Sequence, residues 1–171
     1  MPVHDIQPGV SLNERAIESL GRFLGVKRRM EVRGSVNGIT VYDDFAHHPT
    51  AFETTIAGLR SRVGRSRIVA VFEPRSNTMK LGTMQGRLAA SLAGADVVLC
   101  YAKNLGWDPA AALAPLGDRA STHQDLDAMV DTLAGVLRHG DQVLVMSNGG
   151  FGGIQDKLLA RLQSRRRRAS A

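Results

Sequence analysis

Apolar residues recur along this chain with two different periods, and the alternation between them predicts the architecture. Leu12, Ala16, Ile17, Leu20, Phe23 and Leu24 fall on one face of a helix. Ser11 and Glu14 stand at capping-box spacing at its start, and Gly25 ends it. Two strand-like runs follow, Met30–Val36 and Ile39–Tyr42, joined by Asn37-Gly38, a strong short hairpin signal. A helix is predicted from Pro49 and Thr50, where Thr50 and Glu53 repeat the capping-box spacing and Phe52, Ile56, Leu59 and Val63 form the apolar face. Ile68–Phe72, Val97–Tyr101 and Gln142–Met146 are short, nearly unbroken apolar strands. Helices are predicted at Thr83–Leu92, around Leu126–Leu137 and at Ile154–Leu162.

Unbroken apolar strands alternating with amphipathic helices imply a parallel sheet covered on both faces. The expected fold is α/β: doubly wound, mostly parallel, Rossmann-like, with an antiparallel hairpin near its start. Ligands of such sheets bind where strands end. Four strand-end loops, Asp43–Pro49, Glu73–Leu81, Ala102–Trp107 and Ser147–Gly153, are rich in polar residues or glycine.

Composition narrows the classes. The 171 residues are 43% hydrophobic and 22% charged, which suits one globular domain with a real core and argues against disorder. No run approaches the length of a membrane span, no secretory leader is evident, and one cysteine excludes a disulfide scaffold. A cytoplasmic setting is expected. The formal charge of +6 hints at nucleic acid, but Arg165–Arg168 carry most of it. Without them 18 basic residues face 16 acidic ones, so no nucleic-acid and no membrane partner is expected.

The loops carry the chemistry. In Asp43-Asp44-Phe45-Ala46-His47-His48-Pro49, a carboxylate can accept from ribose hydroxyls, and the imidazoles can stack on a base or donate to phosphate beside a helix N-terminus. A turn aspartate with surface histidines reads equally well, and adjacent histidines face one metal ion poorly. In Glu73-Pro74-Arg75-Ser76-Asn77-Thr78, the arginine suits a carboxylate or phosphate, while a capped solvated loop is the plain alternative. Ser147-Asn148-Gly149-Gly150-Phe151-Gly152-Gly153 lets backbone amides approach an anion, but it does not complete the dinucleotide fingerprint. Cys100 reads as core.

The blocks YDDFAHHPTA, EPRSNTMKLGTM and SNGGFGGI resemble the C-terminal domain of the Mur ligases, and within them the murein-recycling branch. The resemblance runs from about Ser11 to Leu162. It implies an ATP-dependent amide ligase of peptidoglycan recycling. In such an enzyme ATP phosphorylates the lactyl carboxylate of UDP-MurNAc, and the amine of the tripeptide L-Ala-γ-D-Glu-meso-diaminopimelate displaces phosphate. By the same resemblance Tyr42, Asp44, His47 and His48 face ATP, and Arg75, Ser76, Asn77, Thr78, Ser147, Asn148 and Phe151 face the peptide. It divides the chain into 1–26, a terminal helix of a central domain with its lead-in, 27–163, the C-terminal domain, and 164–171, a basic tail. Mg2+ and the UDP-sugar would be held mainly outside this chain, which has no GxxGK[ST] sequence. The chain alone is therefore expected to be inactive and to carry no catalytic residue or metal site of its own. Self-association through the 11–24 helix is a further expectation. The alternative is a freestanding nucleotide-binding α/β module.

Overall fold

The computed structural model describes residues 28–169, so the helix expected at 11–24 and the self-association tied to it lie outside the described residues. Six strands form one sheet in the order β1-β2-β6-β3-β4-β5. They are β1 (Glu31–Val36), β2 (Ile39–Asp44), β3 (Ile68–Phe72), β4 (Val97–Tyr101), β5 (Ala120–His123) and β6 (Gln142–Met146). Only β1 runs antiparallel, to β2. Asn37 and Gly38 both take positive φ, 54° and 73°, which is the backbone a two-residue hairpin turn requires.

The helices are α1 (Pro49–Val63), α2 (Asn77–Lys80), α3 (Gln85–Leu92), α4 (Pro109–Leu113), α5 (Leu126–Val136) and α6 (Ile154–Ala169). Period-two alternation on the strands sorts the core into two layers. Ile68, Ala70, Phe72, Leu144 and Met146 pack with Phe52, Ile56 and Leu59 of α1 and Leu88 and Leu92 of α3. Val69, Val71, Val143 and Val145 pack with Met129 and Leu133 of α5 and Leu158 and Leu162 of α6. The doubly wound reading therefore holds.

β6 is last in sequence but sits between β2 and β3. The helix after β6 covers one face, and the helices after β2 and β3 cover the other. Both flanks of β6 are thus places where the winding direction switches and a crevice opens at the strand ends.

Several boundaries differ from expectation. β2 runs through Asp43 and Asp44, because both stay in register with Val145 and Met146 of β6. His48, not Thr50, caps α1, with Pro49 preset for the first turn. The segment after β3 makes the short turn α2 before α3 begins at Gln85. β5 and α4 were not foreseen. β5 is a four-residue, half-exposed edge strand, Ala-Ser-Thr-His, and has no apolar signature. The arginine run is the end of α6 rather than a separate segment.

Cys100 is fully buried, and burial pushes its thiol far above the usual range. A thiol reagent is expected to label it only after unfolding; rapid labelling of native protein would contradict this placement.

Candidate functional site

The chain enters the described structure beside the two crevices. Arg28 is held there by four groups. Its Nη2 donates to the carbonyls of Ser147 at 2.6 Å and Gly149 at 2.7 Å, and its Nε to Asp43 at 3.2 Å. Its guanidinium lies 5.4 Å from the centre of the Phe45 ring. In the sequence it is one of three consecutive basic residues, Lys27-Arg28-Arg29, ahead of the hairpin.

Asp44 is 4% exposed and does not face solvent. Its Oδ2 accepts from the Met30 amide at 2.9 Å, and its Oδ1 from the Ala46 amide at 2.8 Å and Thr55 Oγ1 at 3.3 Å. Three donors leave little acceptor capacity for a ligand, so Asp44 shapes the loop. Tyr42 is also buried, and its hydroxyl donates to Gln142 at 3.0 Å, at the opposite end of the strands from the loops. The structure places Tyr42 in the core, away from the loop that follows β2.

The two histidines differ. His47 Nδ1 sits 2.8 Å from the Phe45 carbonyl, so Nδ1 carries the proton and Nε2 is an acceptor in the neutral ring. His48 Nδ1 accepts from the Ala51 amide at 3.3 Å, which leaves Nε2–H as a donor. Arg29, Asp44, Phe45, Ala46, His47, His48, Ala51 and Thr55 line a cleft of about 200 Å³. α1 starts in this cleft, and no acidic residue in its first turn offsets the positive end of its dipole.

Ser147 joins the other loops. Its side chain is fully buried, donates to Glu73 Oε1 at 2.5 Å and accepts from the Gly149 amide at 2.9 Å. Arg75 lies across Gly149: a Cβ there would meet Arg75 Nη1 at 2.5 Å. Glycine is what lets the guanidinium rest on this loop. Ser76 caps α2 through the Met79 amide at 3.3 Å and reaches the His47 carbonyl at 3.5 Å. Asn77 opens α2 with an exposed side chain. Thr78 is in the same turn. Asn148 keeps a buried Oδ1 with no partner among the described residues. Phe151 is 1% exposed and packs against Tyr101 with ring centres 5.8 Å apart. It is a core residue of this domain.

A second cleft, about 240 Å³, opens at the ends of β3 and β4 and is lined by Glu73, Pro74, Arg75, Lys80, Tyr101, Lys103, Asn104 and Leu105. Lys80 and Lys103 were not singled out in the sequence. The signal available was their position in loops after parallel strands. Trp107 serves this region by packing: its Nε1 donates to the Met79 carbonyl at 2.7 Å, fixing α2. Among the described residues no three acidic, histidine or cysteine side chains gather as a metal site.

Comparison with known proteins decides the family. Residues 28–149 match the family model described as Mur ligase, glutamate ligase domain. The chain belongs to the Mur ligase family. It is 49% identical over 146 residues, 84% of its length, to UDP-N-acetylmuramate–L-alanyl-γ-D-glutamyl-meso-2,6-diaminoheptandioate ligase of Escherichia coli K12. That match covers 32% of the relative, so the chain spans about a third of the length of the curated relatives it matches. A murein peptide ligase structure from Psychrobacter arcticus 273-4 superimposes with a TM-score of 0.73 at 40% identity, covering 86% of this chain and 32% of that one. A crystallised domain of such a ligase from Haemophilus ducreyi 35000HP gives 0.68 at 46% identity, covering 78% of this chain and 98% of that one. The Mur ligase resemblance seen in the motifs is thereby borne out.

Proposed function

We propose that this chain is the nucleotide-closing and peptide-binding domain of an ATP-dependent ligase that joins L-Ala-γ-D-Glu-meso-diaminopimelate to UDP-MurNAc in peptidoglycan recycling. The observation that carries the reading is the 49% identity to the Escherichia coli ligase of that name, over a stretch that includes both clefts. The clefts supply the chemistry. Arg29, the His48 Nε2–H and the start of α1 offer positive charge and donors to a polyphosphate in the first cleft. When bound, ATP supplies the phosphoryl group that activates the sugar-linked carboxylate. Arg75 and its neighbours hold the peptide in the second cleft, which brings its amine to the activated carbon.

Within this division Asp44, Ser76 and Ser147 position the loops, and Asn77, Thr78 and Asn148 stand at the peptide side. No described cluster suits Mg2+, so no step is assigned to a metal on this chain. The phosphate-binding loop and the UDP-sugar site belong to other parts of the ligase, and the chain alone is inactive. Phosphate release from ATP by the purified chain, dependent on both UDP-MurNAc and tripeptide, would contradict this.

His48 separates folding from nucleotide binding. His48→Ala removes the α1 cap and is expected to cost about 1 kcal/mol in a denaturant titration. His48→Asn restores a capping side chain without the imidazole donor. In a ligase carrying this domain, the asparagine variant should regain stability while its KM for ATP stays several-fold raised. An ATP KM that recovers along with stability would reduce His48 to a cap.

A further inference from the structure

The second cleft holds more positive charge than folding requires. Arg75, Lys80 and Lys103 line it together with a single carboxylate, Glu73. None of the three cationic side chains is paired among the described residues. Elsewhere the same surface pairs its charges closely: Arg60 with Asp96 at 2.6 Å, Lys157 with Asp127 at 2.6 Å, Arg161 with Asp131 at 2.5 Å. Three unneutralised like charges in one concavity repel one another, and an anionic ligand relieves that repulsion. Glu73 is not free to swing to them, because its Oε1 is held by Ser147 at 2.5 Å. Its other oxygen remains for the cleft.

The pattern of three cations around one fixed carboxylate matches a particular ligand chemistry. Beyond its reacting amine, L-Ala-γ-D-Glu-meso-diaminopimelate carries three carboxylates and one ammonium. One carboxylate is on the γ-linked glutamate. The other two, with the ammonium, are on the last residue. A peptide ending in lysine keeps that ammonium but lacks the carboxylate beside it. We propose that Lys80 and Lys103 are specificity-determining residues: together with Arg75 they read the carboxylates of the peptide, and Glu73 takes the distal ammonium, so the cleft selects a third residue whose side chain ends in a zwitterionic amino-acid group. This deepens the peptide-binding reading given above and rests on it.

Lys80 and Lys103 are exposed, so replacing them leaves the core untouched. The test is an amide-resolved NMR titration of the full 171-residue chain with L-Ala-γ-D-Glu-meso-diaminopimelate and with L-Ala-γ-D-Glu-L-Lys, each to about 10 mM, a range that detects even weak affinities. The diaminopimelate peptide is expected to bind about tenfold more tightly, the worth of one charge-assisted contact. Shifts should centre on Arg75, Lys80, Lys103, Asn104 and Gly149. Lys80→Met and Lys103→Met should each weaken it about three- to tenfold, and the double variant should bind both peptides alike. Two results would overturn the specificity proposal while sparing the peptide-binding reading: equal affinity of the two peptides for the unaltered chain, or undiminished discrimination in the double variant, each with shifts still at these loops. Equal shifts from inorganic phosphate would mark a general anion site and overturn it too. If neither peptide shifts these loops, both readings fail.

Discussion

Asp44→Ala is expected to destabilise the domain by about 3 kcal/mol, a large share of the stability of a domain this size. The carboxylate is buried and accepts three hydrogen bonds, from the Met30 and Ala46 amides and the Thr55 hydroxyl. Alanine leaves all three donors without their acceptor, and each buried donor so orphaned costs about 1–3 kcal/mol, less what entering water recovers. Asparagine is the informative partner variant. It can keep Oδ1 toward Ala46 and Thr55, but its amide then faces the Met30 N–H, donor against donor. Asp44→Asn should therefore fall between the native domain and Asp44→Ala in a urea titration. If Asp44 were a solvent-facing ligand group, both variants would unfold at the native midpoint.

Arg75→Ala is the larger expected effect on activity. In a ligase carrying this domain, kcat/KM for the peptide is expected to fall about 100-fold, the scale for truncating a hydrogen-bonded charge partner. The KM for ATP should stay within about twofold, because Arg75 lies in the β3–β4 cleft and the cleft proposed for the nucleotide is built at the end of β2. Gly149→Ala tests the same geometry without touching the arginine. Its methyl group would stand 2.5 Å from Arg75 Nη1, so the guanidinium must leave its seat. The two variants should share a peptide defect. Equal loss toward ATP and peptide, or none toward either, would remove Arg75 from peptide recognition.

Much of this was legible in the sequence because the signals were strong and local. The apolar runs at β3, β4 and β6, the Asn37-Gly38 turn and the 49–63 periodicity each follow from burial or turn geometry over a few residues. β5 was not legible, because an edge strand of Ala-Ser-Thr-His owes its place to pairing with β4 and not to its own pattern. The loops that line the two clefts were found, since they follow strands of the parallel part of the sheet. The roles inside them were harder to read. Asp44, Tyr42, Ser147 and Phe151 all have chemistry-bearing side chains, yet their partners lie up to a hundred residues away in sequence, at Met30, Gln142, Glu73 and Tyr101. Only the fold shows that these groups are already engaged. Conversely, Lys80 and Lys103 look like ordinary loop lysines until β3 and β4 bring them to one cleft.

On the function proposed here, this chain completes, and does not by itself constitute, a peptide-joining ligase. The most direct measurement replaces the matching last third of the Escherichia coli relative with this chain and follows phosphate release from ATP with UDP-MurNAc and the tripeptide. The chimera is predicted to release phosphate only when both substrates are present and to form the amide product, with Arg75→Ala in the same chimera losing activity chiefly through the peptide. A folded chimera that shows no such reaction, or one indifferent to the tripeptide, would contradict this role for the chain.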